Sequence, residues 1–182
     1  MVLSERFTPL AEESRVVDAT LRTITWQQFG AAIDMLANAL RACPDSLWAD
    51  RSQQPPFWYV AYHTLIFLDL YLSGSVEGFA PPAPVGREDF DPSGVLREQP
   101  YTKDELQTYL RHCRRKCQAT IEALTDEQAA QPCRFPSFEV SFLELQFYNM
   151  RHVQEHAAQL SFILGQQVGW AAEWVTRANP QE

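Results

Sequence analysis

The chain has 182 residues, 46% of them hydrophobic and 21% charged, which suits one folded domain and argues against wholesale disorder. Its 15 Lys and Arg residues against 23 Asp and Glu residues give a net charge of −8, which repels phosphate backbones and disfavours nucleic acid as a partner. No stretch is apolar for the roughly 18–20 residues that a membrane span needs. The first residues also lack the basic and apolar regions of a signal peptide. We therefore expect a cytoplasmic protein with no membrane partner.

The four cysteines contain no C-x-x-C pair and are too few for a disulfide framework, so we interpret them as reduced thiols. Cys113 and Cys117 are four residues apart and would share one face of a helix. They could ligate a soft metal, but small apolar residues in a core seam are the favoured interpretation.

The first helix is predicted to open at Thr25, because Gln28 follows three residues later in a capping-box pattern. Its apolar residues are spaced alternately by three and four, as in a bundle helix, and Pro44 ends it. Residues 1–24 show no strong period and are expected to form an arm or a short leading helix.

The second helix is predicted to start at the Pro-Pro pair 55–56 and to stop at Ser73-Gly74. A proline-rich connection over residues 75–101 follows. Connections of this length are uncommon in compact domains unless they have a role such as covering a site. Three apolar residues could anchor it, namely Phe79, Phe90 and Leu96.

The third helix is predicted to begin at Thr102, with Glu105 completing another capping box. A basic run within it is interpreted as a solvated face and comprises Arg111, Arg114, Arg115 and Lys116. The fourth helix is predicted to start near Ser141, with Glu144 as its capping partner, and to end around Gly165 and Gly169.

No convincing alternating strand pattern is found. Four helices of this length predict an all-α protein, a four-helix bundle with a long loop between helices two and three. The bundle is expected over residues 25–166, followed by a tail over residues 167–182 that carries Trp170 and Trp174.

A polar stripe in the fourth helix carries the strongest functional signal. His152 and His156 lie 40° apart on a helical wheel, so both rings can reach one ion. Asn149 and Gln159 are predicted to face the bundle interior with them. Such a stripe is costly in a core unless its groups are satisfied, and positions that break the apolar pattern are where function is expected.

His63 supplies a third imidazole, because it occupies an inward position of the second helix between Tyr59 and Ile66. Three neutral imidazoles leave open positions on a metal, the arrangement of catalytic rather than structural sites. We therefore predict a metal site formed by His63, His152 and His156. Tyr59, Asn149, Glu155 and Gln159 are predicted pocket or supporting residues, although bundle packing would also explain Tyr59, Asn149 and Gln159.

The same stretch also spells H-x-x-E-H, the pattern of a class of zinc proteases in which Glu155 would be the general base. Glu155 lies at the edge of the predicted inward face. Those enzymes need a further glutamate ligand downstream, and Glu173 is the one candidate considered. The short remaining chain disfavours this alternative.

The aromatic-rich stretch 58–65 around His63, the late-helix motif His152-x-x-x-His156-x-x-Gln159 and the proline-rich connection together resemble the DinB/YfiT-like metal-binding four-helix bundles. The resemblance covers roughly residues 25–166. It implies a divalent metal, commonly zinc or nickel, on the three histidines, and often a homodimer, with no DNA binding implied.

Family members with known activity are thiol S-transferases that use low-molecular-weight thiols, or metal-dependent hydrolases and isomerases. The resemblance therefore implies a metalloenzyme that activates a thiol or water against a small-molecule substrate. A non-catalytic binding or stress-related module with a structural metal stays open as the alternative.

Overall fold

The computed structural model describes residues 17–52, 54–87 and 97–180. In chain order the elements are α1 (Ala19–Ala42), α2 (Asp45–Trp48), α3 (Phe57–Ser73), α4 (Lys103–Glu122), α5 (Asp126–Ala130), β1 (Pro132–Phe135), β2 (Phe138–Ser141) and α6 (Phe142–Val168). None of the helices in these ranges is both long enough and apolar enough to cross a membrane.

The long helices form a bundle in which α1 and α3 each pack against both α4 and α6. Apolar side chains from all four helices meet in one continuous core, and its fully buried members include Phe29, Leu36, Tyr62, Leu65, Leu106, Cys113 and Leu160. The predicted all-α four-helix bundle is confirmed. Cys113 and Cys117 are both buried in this core, as the apolar interpretation expected.

Local backbone chemistry sets four of the helix boundaries as predicted. Thr102 and Glu105 form a reciprocal capping box at the start of α4, and Ser141 caps α6 by accepting from the Glu144 N–H. The α3 helix begins after Pro56 and ends at Gly74, which adopts the left-handed conformation that favours glycine.

The predicted start of α1 at Thr25 is wrong, because the helix already begins at Ala19. The Asp18 carboxylate accepts a hydrogen bond from the Leu21 N–H at 2.8 Å and caps the helix there, so Thr25 lies buried within it. The part of the predicted arm that falls on residues 1–16 lies outside the described residues.

A small antiparallel hairpin, which the sequence pattern does not predict, joins α5 to α6. Its register pairs Pro132 with Ser141 and Phe135 with Phe138. Each strand has only four residues, which is too short for an alternating pattern to stand out. The hairpin matters because it brings two phenylalanines towards the end of α3.

The described parts of the proline-rich connection pack on the bundle. Phe79 and Val85 are buried, and the Gly86 N–H donates to the Tyr101 hydroxyl at 2.7 Å. The other two predicted anchors, Phe90 and Leu96, lie outside the described residues.

Beyond α6 the tail crosses back over α1 and α4. The Ala178 N–H donates to the Gln27 carbonyl at 2.9 Å, and the Asn179 N–H donates to the Asp34 carboxylate at 2.7 Å. Trp170 packs against the core, whereas Trp174 is 71% exposed. Backbone hydrogen bonds therefore hold the tail in place, whereas the exposed Trp174 contributes little to its packing.

Two members of the basic run in α4 do not form a solvated face, which corrects that interpretation. Arg114 binds the buried Asp34 with Nε at 2.8 Å from Oδ1, and Lys116 binds the buried Asp69 with Nζ at 2.5 Å from Oδ1. The Tyr109 hydroxyl also donates to Asp69, at 2.8 Å. These carboxylates are distant in sequence, so the local charge pattern could not reveal them.

The close approach of the tail to α1 depends on Gly30. A Cβ at this position would lie 2.5 Å from the Ala178 Cβ, so we expect Gly30→Ala to displace the tail. The strain should cost about 1–3 kcal/mol of unfolding free energy. The displaced tail should also become more sensitive to cleavage by trypsin after Arg177, which is exposed. Denaturant unfolding and limited proteolysis measure the two effects.

Gly165→Ala is the matched control for that substitution. A Cβ there meets its nearest neighbour, the Trp170 carbonyl oxygen, at an ordinary 3.5 Å. Because alanine is the better helix former, this variant should gain up to about 1 kcal/mol and keep the tail protected. Equal behaviour of the two variants would contradict the close packing at Gly30.

Candidate metal centre

The α3 and α6 helices bring three histidines together. His152 and His156 are one turn apart on α6, and His63 faces them from α3. One ring nitrogen of each lies within 4.8 Å of the corresponding nitrogens of the other two, and all three side chains are half-buried. We call this group the histidine cluster.

The spacing within the histidine cluster fits an ion better than a direct hydrogen bond. The Nε2 atoms of His63 and His152 are 3.4 Å apart, beyond the usual range of an N–H hydrogen bond. Two nitrogens bound at about 2.0–2.1 Å to a tetrahedral Zn²⁺ are themselves about 3.3–3.4 Å apart. The donor set therefore fits a divalent ion that accepts imidazole ligands, with room for a further ligand.

Gln159 holds the third imidazole in a defined state. Its Oε1 lies 2.9 Å from the His156 Nδ1, and because an amide oxygen only accepts, the Nδ1–H donates. The Nε2 lone pair of His156 is then available for a metal. Burial lowers the pKa of His156, with the Gln159 hydrogen bond opposing the change, so the neutral ligand form is favoured at neutral pH.

The histidines lie beside the buried stripe of α6 and not within it. That stripe consists of the seven buried residues of the helix, namely Leu145, Gln146, Asn149, Val153, Ala157, Leu160 and Leu164. Gln159 is exposed, so its predicted inward position is wrong. Successive residues are 100° apart around a helix, so Gln159 lies outside the core although its neighbour Leu160 lies within it.

The other predicted supporting residues take different places. Asn149 is fully buried, and its amide donates to the Leu68 carbonyl at 3.1 Å, so it ties α6 to the backbone of α3. The Tyr59 ring centroid lies 6.2 Å from that of His63. Glu155 is exposed and is not part of the histidine cluster.

Aromatic side chains next to the histidine cluster were not singled out from the sequence. Phe67 contacts His63 with ring centroids 4.8 Å apart, and Tyr71 lies 6.2 Å from His152. Further rings complete what we call the aromatic cluster, which comprises Phe67, Tyr71, Phe135, Phe138 and Tyr148. Burial raises the pKa of Tyr71, so its hydroxyl stays protonated.

Phe67 and Tyr71 lie one and two helical turns after His63, so helical spacing could have identified these two aromatic residues. The residues Phe135 and Phe138 carried no such signal, because the hairpin that places them was not predicted.

The two other metal hypotheses receive no structural support. Glu173 is exposed, and in the described ranges neither it nor Glu155 joins the histidine cluster as the protease pattern would require. Burial raises the pKa of the Cys113 and Cys117 thiols, which disfavours the thiolate forms that bind metal.

The fold and the site define a class of protein. It is a helical bundle in which two helices carry a three-histidine cluster, and this cluster is compatible with metal binding. A sequence model of the DinB superfamily matches residues 28–160, which is most of the chain. The chain belongs to the DinB superfamily, as its resemblance indicated. Neither the curated proteins nor the solved structures contain a significant match to it.

The contact between Gln159 and His156 predicts a measurable effect on metal affinity. Replacing Gln159 by Leu removes the acceptor that keeps the His156 proton on Nδ1, and loss of such a partner typically costs about 10–100-fold in metal affinity. Competition with a chelating indicator dye measures the change. Gln166→Leu, the same substitution at an exposed position two turns further along α6, should leave the affinity within about twofold. Equal affinities for all three proteins would contradict this role of Gln159.

Proposed function

We propose that this DinB-superfamily protein is a metal-dependent enzyme that activates a thiol or a water molecule, as a thiol S-transferase or a hydrolase. His63, His152 and His156 would hold one divalent ion, either zinc or nickel. The observation that carries the proposal is the convergence of three imidazoles within 4.8 Å on half-buried, accessible positions. A divalent ion bound there would supply Lewis acidity, which lowers the pKa of a water or thiol at its open position.

The cysteines of the chain favour an external thiol. Burial raises the pKa of Cys43 to about 11 and raises the pKa of the other three thiols as well. The protein's own thiols are therefore protonated at neutral pH and poor nucleophiles. A thiol-transfer reaction would take its sulfur from a low-molecular-weight co-substrate.

The composition of the histidine cluster favours thiol transfer over hydrolysis. In the described part of the chain, no Asp or Glu belongs to the histidine cluster. A hydrolase of this kind normally places a general base beside its nucleophilic water. The aromatic cluster offers an apolar surface beside His63 and His152, against which a small-molecule substrate could pack and exclude water.

We also propose that the enzyme is a homodimer in the cytoplasm. The resemblance implies the homodimer, and the reduced cysteines favour the cytoplasm. Light scattering after size-exclusion chromatography measures the oligomeric state, and a mass of one chain would contradict the dimer.

Cobalt substitution tests the proposed reaction class. Addition of a low-molecular-weight thiol to the Co²⁺-loaded protein should produce a new near-ultraviolet absorption band, because the sulfur joins the three imidazoles on the metal. The His63→Ala variant should show no such band.

A spectrum that is indifferent to thiols would contradict the thiol branch. If removing the metal then only lowers the melting temperature, the alternative of a binding module with a structural metal is supported instead.

A further inference from the structure

A cavity of about 730 Å³ lies between α1, α4 and the tail, and none of its lining residues belongs to α3 or α6, which carry the histidine cluster. Four arginines line it together with one carboxylate and one amide, namely Arg41, Arg111, Arg114, Arg115, Asp34 and Asn179. We call it the arginine cavity. Its residues have no part in the proposed metal chemistry.

Among the described lining residues, the positive and negative charges are not balanced. Asp34 is committed to Arg114 and to the Asn179 N–H, so one arginine is neutralised and the guanidinium is fixed. The remaining partners are neutral, since Arg41 binds the Asn38 side chain and Arg111 binds the Thr108 hydroxyl. Among the described residues, Arg41, Arg111 and Arg115 have no ion-pair partner.

Without a bound anion, this concentration of positive charge destabilises the folded protein. Arg111 and Arg115 are four residues apart on α4, a spacing at which like charges repel, and Arg41 approaches from the end of α1. The cluster stands out in a chain of net charge −8, where carboxylates are abundant elsewhere. An anion in the cavity would relieve this repulsion.

We propose that the arginine cavity binds a small molecule carrying two or more oxyanion groups, such as linked phosphates. The guanidinium group presents paired N–H donors that match phosphate and carboxylate oxygens. The volume lies in the range of small-molecule sites and exceeds what one inorganic ion fills. A long nucleic acid is disfavoured, because the negative charge of the whole protein would repel it.

Isothermal titration calorimetry with pyrophosphate, with citrate and with a short DNA duplex at constant ionic strength tests the proposal. Pyrophosphate or citrate should bind the wild-type protein, which identifies phosphate or carboxylate as the preferred oxyanion. The Arg111→Gln/Arg115→Gln variant should lose at least about tenfold in affinity, because each arginine contributes a charge-assisted hydrogen bond.

The charge-matched control is Arg51→Gln/Arg134→Gln, which removes two exposed arginines outside the cavity. This variant should bind as the wild type does, and so should His63→Ala, which separates the arginine cavity from the metal site. Circular dichroism checks that each variant folds. The proposal is wrong if neither small anion binds, if both double variants lose affinity equally, if His63→Ala abolishes binding, or if the DNA duplex binds more tightly.

Discussion

Protein purified without tag or chelator should carry about one divalent ion per chain, and the His63→Ala/His152→Ala variant should carry none. The double substitution leaves a single imidazole, which is too few ligands to hold a divalent ion through purification. Elemental analysis by plasma mass spectrometry measures the metal content and also decides between zinc and nickel.

His112→Ala is the matched control for this experiment. It removes the one remaining histidine of the chain, which lies beside Tyr109 and Asp69 and outside the histidine cluster. Its metal content should equal that of the wild type. Equal content in the double variant, or no metal in the wild type even after reconstitution, would contradict the metal site.

Asp69→Ala should be the most destabilising substitution considered, at about 3–5 kcal/mol of unfolding free energy. The Asp69 carboxylate is almost fully buried and accepts from both Lys116 and Tyr109. Its removal leaves the Lys116 ammonium near the core without its counter-charge and the Tyr109 hydroxyl without its acceptor. Urea unfolding followed by tryptophan fluorescence measures the loss.

Asp45→Ala removes a carboxylate of the same type from a surface ion pair. Asp45 Oδ1 lies 2.6 Å from the Lys103 Nζ, but the Asp45 side chain is 97% exposed. Water screens such a pair, so the unfolding free energy should change little. Similar losses for the two alanine variants would mean that burial does not set the strength of the Asp69 network.

The sequence could predict the helices wherever a boundary has a local chemical cause. The Thr102 and Glu105 capping box, the Ser141 cap and the glycine at position 74 all act within a few residues of themselves. The start of α1 was misplaced because a second capping pattern at Thr25 competed with the Asp18 cap. The hairpin was missed because its two strands are short and depend on contacts with α3 and α6.

The histidine cluster could be predicted because helical spacing alone puts two histidines on one side of α6. The partner from α3 followed from its inward position in an aromatic stretch. The exposure of Gln159 could not be predicted, since a shift of one residue along a helix separates a position in the core from one at the edge of the interface. The network of Asp69 depends on Lys116, 47 positions away, and no local pattern connects the two.

The separation of the ligands along the chain has a consequence for folding. His63 and His152 lie 89 positions apart, on helices that must pack before the two nitrogens come within reach. An ion bound by both would therefore act as a reversible cross-link that closes a long loop and favours the folded chain over the unfolded one. Chelator resistance would then report on how firmly α3 and α6 stay together, so mutations far from the histidines that loosen this helix pair would also accelerate metal loss.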